Sequence, residues 1–374
     1  MRMLVCAAVL LAVPVWLSMA SAAPTGADST PTLGEYKLLD PITHGDLTVF
    51  PVVTAKSHDT SAFITLDEGI RSGAVVVTEV GNLHSAMQRR PVPPHYSGGA
   101  QVNTLVLVNN SKLPLILLAG EIVTGGKQDR VVSKDRIVPA ESDPVDLGVF
   151  CVEPHRWVES TSKFDTHASV MAQPSVRKKA MAEKDQQQVW NEVNSAKTTM
   201  AARAAASPAP PGMSGGDYAY ATRQLDATSS YAKARENPAV EKQVESITEP
   251  MQKSYESLIK QLRNQNAVGV VVAVKGRVVW ADLFASTSLL DKYWPKLLQS
   301  YAAEALTTPG DHRDVNAKEA QQFLDNWQSR HETVDSEPGL YRQTEFVGDR
   351  FRAFELTSLL PKAAFDVHLS KMAE

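Results

Sequence analysis

Residues 115–157 constrain the fold more than any other part of the chain: LILLAGEIVTGGKQDRVVSKDRIVPAESDPVDLGVFCVEPHRW. Three apolar runs rich in β-branched residues are separated by turn residues. Runs of this length, bounded by Gly, Pro, Asn and Asp, are strand-forming. Similar runs precede them at 47–53 (LTVFPVV), 74–80 (AVVVTEV) and 104–110 (TLVLVNN). Short strands spaced by roughly ten residues predict an antiparallel β-sandwich or barrel-like unit over 41–160. A mixed sheet with helices on one side is the alternative. Pro51 lacks a backbone N–H, so its strand is expected to have an edge or a bulge there.

The grammar changes further on. Within 161–238, residues 176–206 are rich in Lys, Gln, Glu and Ala, with Val189, Trp190 and Val193 at helical spacing, and SPAPPGMSGG at 207–216 breaks regular structure. This region is expected to link two halves. Beyond it, Val240, Val244, Ile247, Met251, Leu258, Ile259 and Leu262 mark one apolar helix face. Tyr293, Trp294, Leu297, Leu298 and Tyr301 mark a second, read as core, and residues 317–331 a third helix. Lys275-Gly276 and Gly348-Asp349 are placed as hairpin turns between strands, and 365–369 as a last strand. Strands first, then helices interleaved with hairpins over 239–374, give an α+β class with a β-rich N-terminal part.

The first 22 residues have the layout of a secretory signal peptide: Arg2, an apolar run from Leu4 to Leu17, and Ala20-Ser21-Ala22 as a cleavage site. Residues 23–40 then form a disordered lead. The expectation is a periplasmic or secreted protein with no membrane span after cleavage. Cys6 leaves with the leader, so Cys151 remains alone and no internal disulfide can form. Loss of Arg2 takes the formal net charge from −4 to −5. Nothing in that balance points to nucleic acid or an anionic membrane.

Polar and reactive side chains concentrate in 115–157. On a strand, Leu147, Val149, Cys151 and Glu153 share one face. A nucleophilic thiolate needs a neighbouring base or cation, and His155, Arg156 or Arg130 lie near in sequence. The bland reading is a small core cysteine, and Glu153 on the same face would raise its pKa. Gly125 and Gly126, with Lys127, Gln128 and Arg130, can form a backbone nest for an anion or an ordinary hairpin turn. Glu121 and Arg130 read as a cross-strand ion pair unless functional, Trp157 as an edge plug, and Asp67-Glu68 as a solvated helix start. HExxH, Gly-x-Ser-x-Gly, GxGxxG and P-loop spacings are missing, so no metal or cofactor is implied.

The pieces HGDLTVFPV, ITLDEGI, TLVLVNNS, LLAGEIVTGGKQDR, IVPAES and FCVEPHRW, with VGVVVAVKGRVVWADLF and LDKYWPKLLQSYAAEAL later, resemble a known family. It is the ARG and Rhodanese-Phosphatase-superfamily-associated protein domain family. The resemblance implies no particular reaction. Its motif falls on Gly120, Glu121, Lys127, Gln128, Arg130, Cys151, Glu153, Arg156 and Trp157. Asp129 and Pro154-His155 depart from the family pattern, which argues against a shared role for His155.

Three readings follow. The first is an exported protein that binds a small molecule or another protein through Lys127, Gln128, Arg130, Glu153, Arg156 and Trp157. The second is an enzyme on a small or nucleotide-derived substrate, with Glu121 and Cys151 as catalytic candidates. The third is a structural envelope protein.

Overall fold

Val, Ile and Leu runs too apolar for a solvated face build the centre of the molecule. The computed structural model describes residues 36–87, 99–166, 170–262 and 264–374. The expected leader and most of the expected 23–40 lead lie outside the described residues.

A nine-stranded sheet dominates, and every neighbouring pair in it is antiparallel. Within it the strand Asn266–Val274 is buried along nearly its whole length and flanked by Leu47–Thr54 and Arg277–Phe284. Asp366–Ala373, Phe351–Ser358, Tyr341–Gly348 and Ser329–Glu337 follow in that order to one edge. Both expected hairpins are present, with Lys275 and Gly276 at positive φ in the first turn. Pro51 falls in the gap between two short strands, Lys37–Leu38 and Ile42–His44, that pair with either end of Leu47–Thr54. No partner there needs its missing N–H.

The strand Ser329–Glu337 differs from expectation, since residues 317–331 read as one helix. The helix stops at Asp325. The sequence SRHETVDSE has no apolar alternation because almost every residue of this edge strand is exposed, and charged side chains suit an unpaired edge.

The β-rich N-terminal part holds two further sheets. A six-stranded antiparallel sheet includes Val75–Thr78, Thr104–Asn109, Val145–Cys151 and Arg130–Val132. A three-stranded sheet pairs Leu115–Leu117 with Arg136–Val138 and, in parallel, with Ile64–Thr65. Period-two alternation divides their side chains between cores. Leu115 and Leu117 join Leu105, Leu107, Leu147 and Val149 in a sandwich-like core, whereas Ile116 and Ile137 join the main core. The main core also takes the helices Gln186–Ala206, Pro238–Gln261 and Thr287–Thr307. Tyr293, Trp294 and Tyr301 are buried there as expected. Among the described residues, no helix is long and apolar enough to cross a membrane.

Candidate functional site

The motif begins in a tight turn between Leu115–Leu117 and Ile122–Val123. Gly120 there has φ +95°, and a Cβ would lie 2.6 Å from Cγ of Arg177. Only glycine fits both the backbone and the close approach. Three consecutive residues of this turn meet buried charged side chains. The Glu121 carboxylate accepts from Leu118 N at 2.8 Å and from Lys296 Nζ at 2.5 Å. Ala119 N donates to Asp135 Oδ1 at 2.7 Å. Gly120 lies on Arg177.

Two charged groups radiate from the turn. In the first, Lys296 bridges Glu121 and Asp67, the latter at 2.8 Å, and lies 4.6 Å from the Tyr293 ring centroid. The expected Glu121–Arg130 pair is therefore not formed, and Asp67 is buried instead of solvated. Thr65 and Glu68 still make the capping box that starts this short helix, so the local signal held while tertiary packing took Asp67 inward. Burial pushes the Glu121 carboxyl up, partly offset by Lys296.

The second group is deeper. Arg177 donates to both Asp282 oxygens, at 2.9 and 3.1 Å, and stacks on Trp280 with 4.5 Å to the ring. Tyr301 donates to Asp282, and His368 joins Asp282 (3.1 Å) to Asp135 (2.6 Å). Arg177, Asp282, Asp135 and His368 all have side chains at 0% exposure. Against burial, Arg177 and His368 hold Asp282 well below the usual carboxylate range, and Asp135 and Asp282 hold His368 up to about 9.

The rest of the motif gathers elsewhere, around residues 125–130. Cys151 pairs with Arg130 across the strands Val145–Cys151 and Arg130–Val132. Glu153 accepts from Asp129 N at 3.1 Å and from Arg156 at 2.5 Å, and its carbonyl accepts from Gln128 Nε2 at 3.2 Å. Arg156 also donates to the carbonyls of Gly125 and Gly126 at 3.2 and 2.8 Å. Asp129 accepts from Gly125 N at 3.1 Å and from Ser230 Oγ at 2.6 Å. Gly126 lies so close to the Phe164 ring that no side chain fits. Burial and the neighbouring Glu153 charge push Asp129 up. Glu121 lies in a different group from Gln128, Arg130, Cys151, Glu153 and Arg156, which come together.

Cys151 is 0% exposed. Its backbone is clamped by Gln186, whose amide accepts from Cys151 N at 2.8 Å and donates to its carbonyl at 2.9 Å. Burial pushes the thiol up, away from the thiolate that a nucleophile requires. His155 has φ +73° and is exposed. Trp157, expected as an edge plug, is 44% exposed, with Lys127 Nζ 5.2 Å from its ring. The chain turns outward after Pro154, so this tryptophan has no core to enter.

Two features of the Asp129 group bear on ligand binding. Among the described residues, the buried Glu79 Oε2, Gln128 Oε1, Arg130 Nη2 and Arg156 Nε have no hydrogen-bond partner. A cleft of about 590 Å³ also opens beside it, walled by Gly125, Asp129 and Arg156. Thr161, Lys163, Asp165 and Lys233 also line it, with Ile70 and Phe164 as apolar members. Hydroxyls and charges of both signs suit a small polar ligand. Among the described residues, no cluster of three His, Cys, Asp or Glu could hold a metal ion.

Several of these residues escape a sequence reading: Glu79, Asp135, Arg177, Ser230, Asp282, Lys296 and His368. A signal exists for three of them, because Asp282, Lys296 and His368 interrupt otherwise apolar segments.

The described residues define an α+β protein whose β-rich N-terminal part is fastened to a nine-stranded sheet through buried ion pairs. The model of the ARG and Rhodanese-Phosphatase-superfamily-associated Protein domain matches residues 35–372, and the chain belongs to that family. No curated protein and no solved structure matches it.

Proposed function

We propose that the chain is an exported binding protein whose ligand, a small polar molecule, occupies the cleft beside Gly125, Asp129 and Arg156. The observation that carries this reading is the cleft's position. It opens against the motif loop, where Arg156 and Asp129 are held by Glu153 and Ser230 before any ligand arrives. Such pre-organisation lowers the ordering cost of binding. The buried motif residues act as a frame, and the exposed Lys163 and Lys233 select the ligand. Export rests on the composition of the first 22 residues. Burial of both Glu121 and Cys151, in separate groups, gives catalysis by that pair no support.

A thermal-shift screen of the mature protein against nucleotides, sugar phosphates, sugars and amino acids tests the reading. A ligand at a hundredfold its Kd adds about 2.7 kcal/mol, a clear upward shift in Tm. The Lys233→Glu variant, which reverses an exposed charge on the cleft lining, should lose most of that shift while keeping its own Tm.

A further inference from the structure

A second cleft, of about 790 Å³, lies far from the motif in sequence and draws on other elements. Its basic side chains come from four places: Arg277 at the start of a central strand, Arg313 in the loop before the helix Ala317–Asp325, Arg350 in a hairpin turn, and Lys371 on the last strand. Glu319 and Asp325 are its acidic members, so cations outnumber carboxylates by two. Asp325 is already engaged by Gln321 at 2.9 Å.

The cations are placed but not neutralised. Among the described residues, Arg277, Arg313 and Arg350 have no carboxylate at ion-pair distance. The loop carrying Arg313 is fastened down: Lys275 donates to Gly310 O at 2.5 Å, and His312 bonds Asp46 at 3.2 Å. Gly276, at φ +74°, touches Arg313 so closely that a Cβ would overlap its carbonyl. Lys371 is wholly buried, and among the described residues its amine meets the carbonyls of Phe323 and Asn326 and the rings of Phe323, Trp327 and Phe351. Burial pushes the Lys371 amine down to about 7, only partly offset by the charge of Asp325, and three guanidinium forks face the same space.

We propose that this cleft is an anion site that takes a small molecule carrying two or more phosphate groups. Arginine forks match phosphate oxygens in pairs, and the exposed arginines at the rim can each hold one group. An anion here also adds negative charge beside Lys371 and favours its protonated form. The site shares no lining residue with the motif cleft, so it stands independently of the function proposed above.

Inorganic tripolyphosphate is the probe. Isothermal titration into the full mature chain should give saturable binding. Arg277→Ala or Arg350→Ala should each weaken it about tenfold, and Arg277→Glu with Arg350→Glu should abolish it at unchanged Tm. Because both arginines are exposed, these variants leave the core intact. Lack of saturable binding by the wild type overturns the proposal, as does a double variant that binds like the wild type.

Discussion

Arg177 and Asp282 form a two-pronged ion pair, 2.9 and 3.1 Å long, with both side chains fully shielded from solvent. Arg177 comes from a short helix and Asp282 from a central strand, and Gly120 of the motif turn lies directly against the arginine. The pair thus fastens the motif to the large sheet. Removing one partner strands a buried charge. Asp282→Asn or Arg177→Met should cost about 3–5 kcal/mol in urea unfolding, and the double variant should cost less than the sum of the two.

Gly120→Ala tests the same junction from the other side. The backbone there is left-handed and the new methyl meets Arg177. The substitution should cost about 2 kcal/mol or more, read as a lower urea midpoint with an unchanged slope. Gly212→Ala is the control, since its φ is also positive but nothing lies within 4 Å; it should cost less.

His368 lies between Asp135 and Asp282, which hold its folded pKa up to about 9. The unfolded value is about 6.5, so the folded pKa is the higher one. Its contribution is fully present below about pH 6.5 and fades as pH rises through about 9, on the order of 3 kcal/mol in all. An NMR titration of the histidine ring carbons should show one imidazole that stays protonated well past neutrality. A set in which every resonance titrates near 6.5 contradicts the network.

Cys151 should resist thiol reagents. It is buried, its pKa is raised by burial, and Gln186 clamps its backbone. Labelling of Cys151 in the native protein should be slow across neutral pH and complete once urea unfolds it. Fast native labelling with an apparent pKa below the free-cysteine value of about 8.5 would restore a nucleophilic role.

Local patterns carried much of the fold. The hairpins at Lys275-Gly276 and Gly348-Asp349, the apolar faces of two long helices and the buried Leu147, Val149 and Cys151 face were all legible in residue order. The strand Ser329–Glu337 was not, because an exposed edge needs no apolar alternation. The site was legible only in part. Gln128, Arg130, Glu153 and Arg156 are close in space because they lie at or just beyond the ends of two paired strands, Arg130–Val132 and Val145–Cys151. Glu121 turned instead to Lys296, 175 residues away, and Arg177 to Asp282, 105 residues away. Such pairings depend on how sheets and helices meet, and no local period encodes them.

The central claim is that the motif frames a ligand cleft. Calorimetric titration of the strongest stabiliser from the screen, against wild type and Lys233→Glu, tests it most directly. Lys233 is exposed on the cleft wall and makes no ion pair within the described residues, so its reversal should leave Tm unchanged. The account predicts at least a tenfold loss of affinity, about 1.4 kcal/mol, with stability unaltered. Equal affinity in both proteins would place the ligand elsewhere and contradict it.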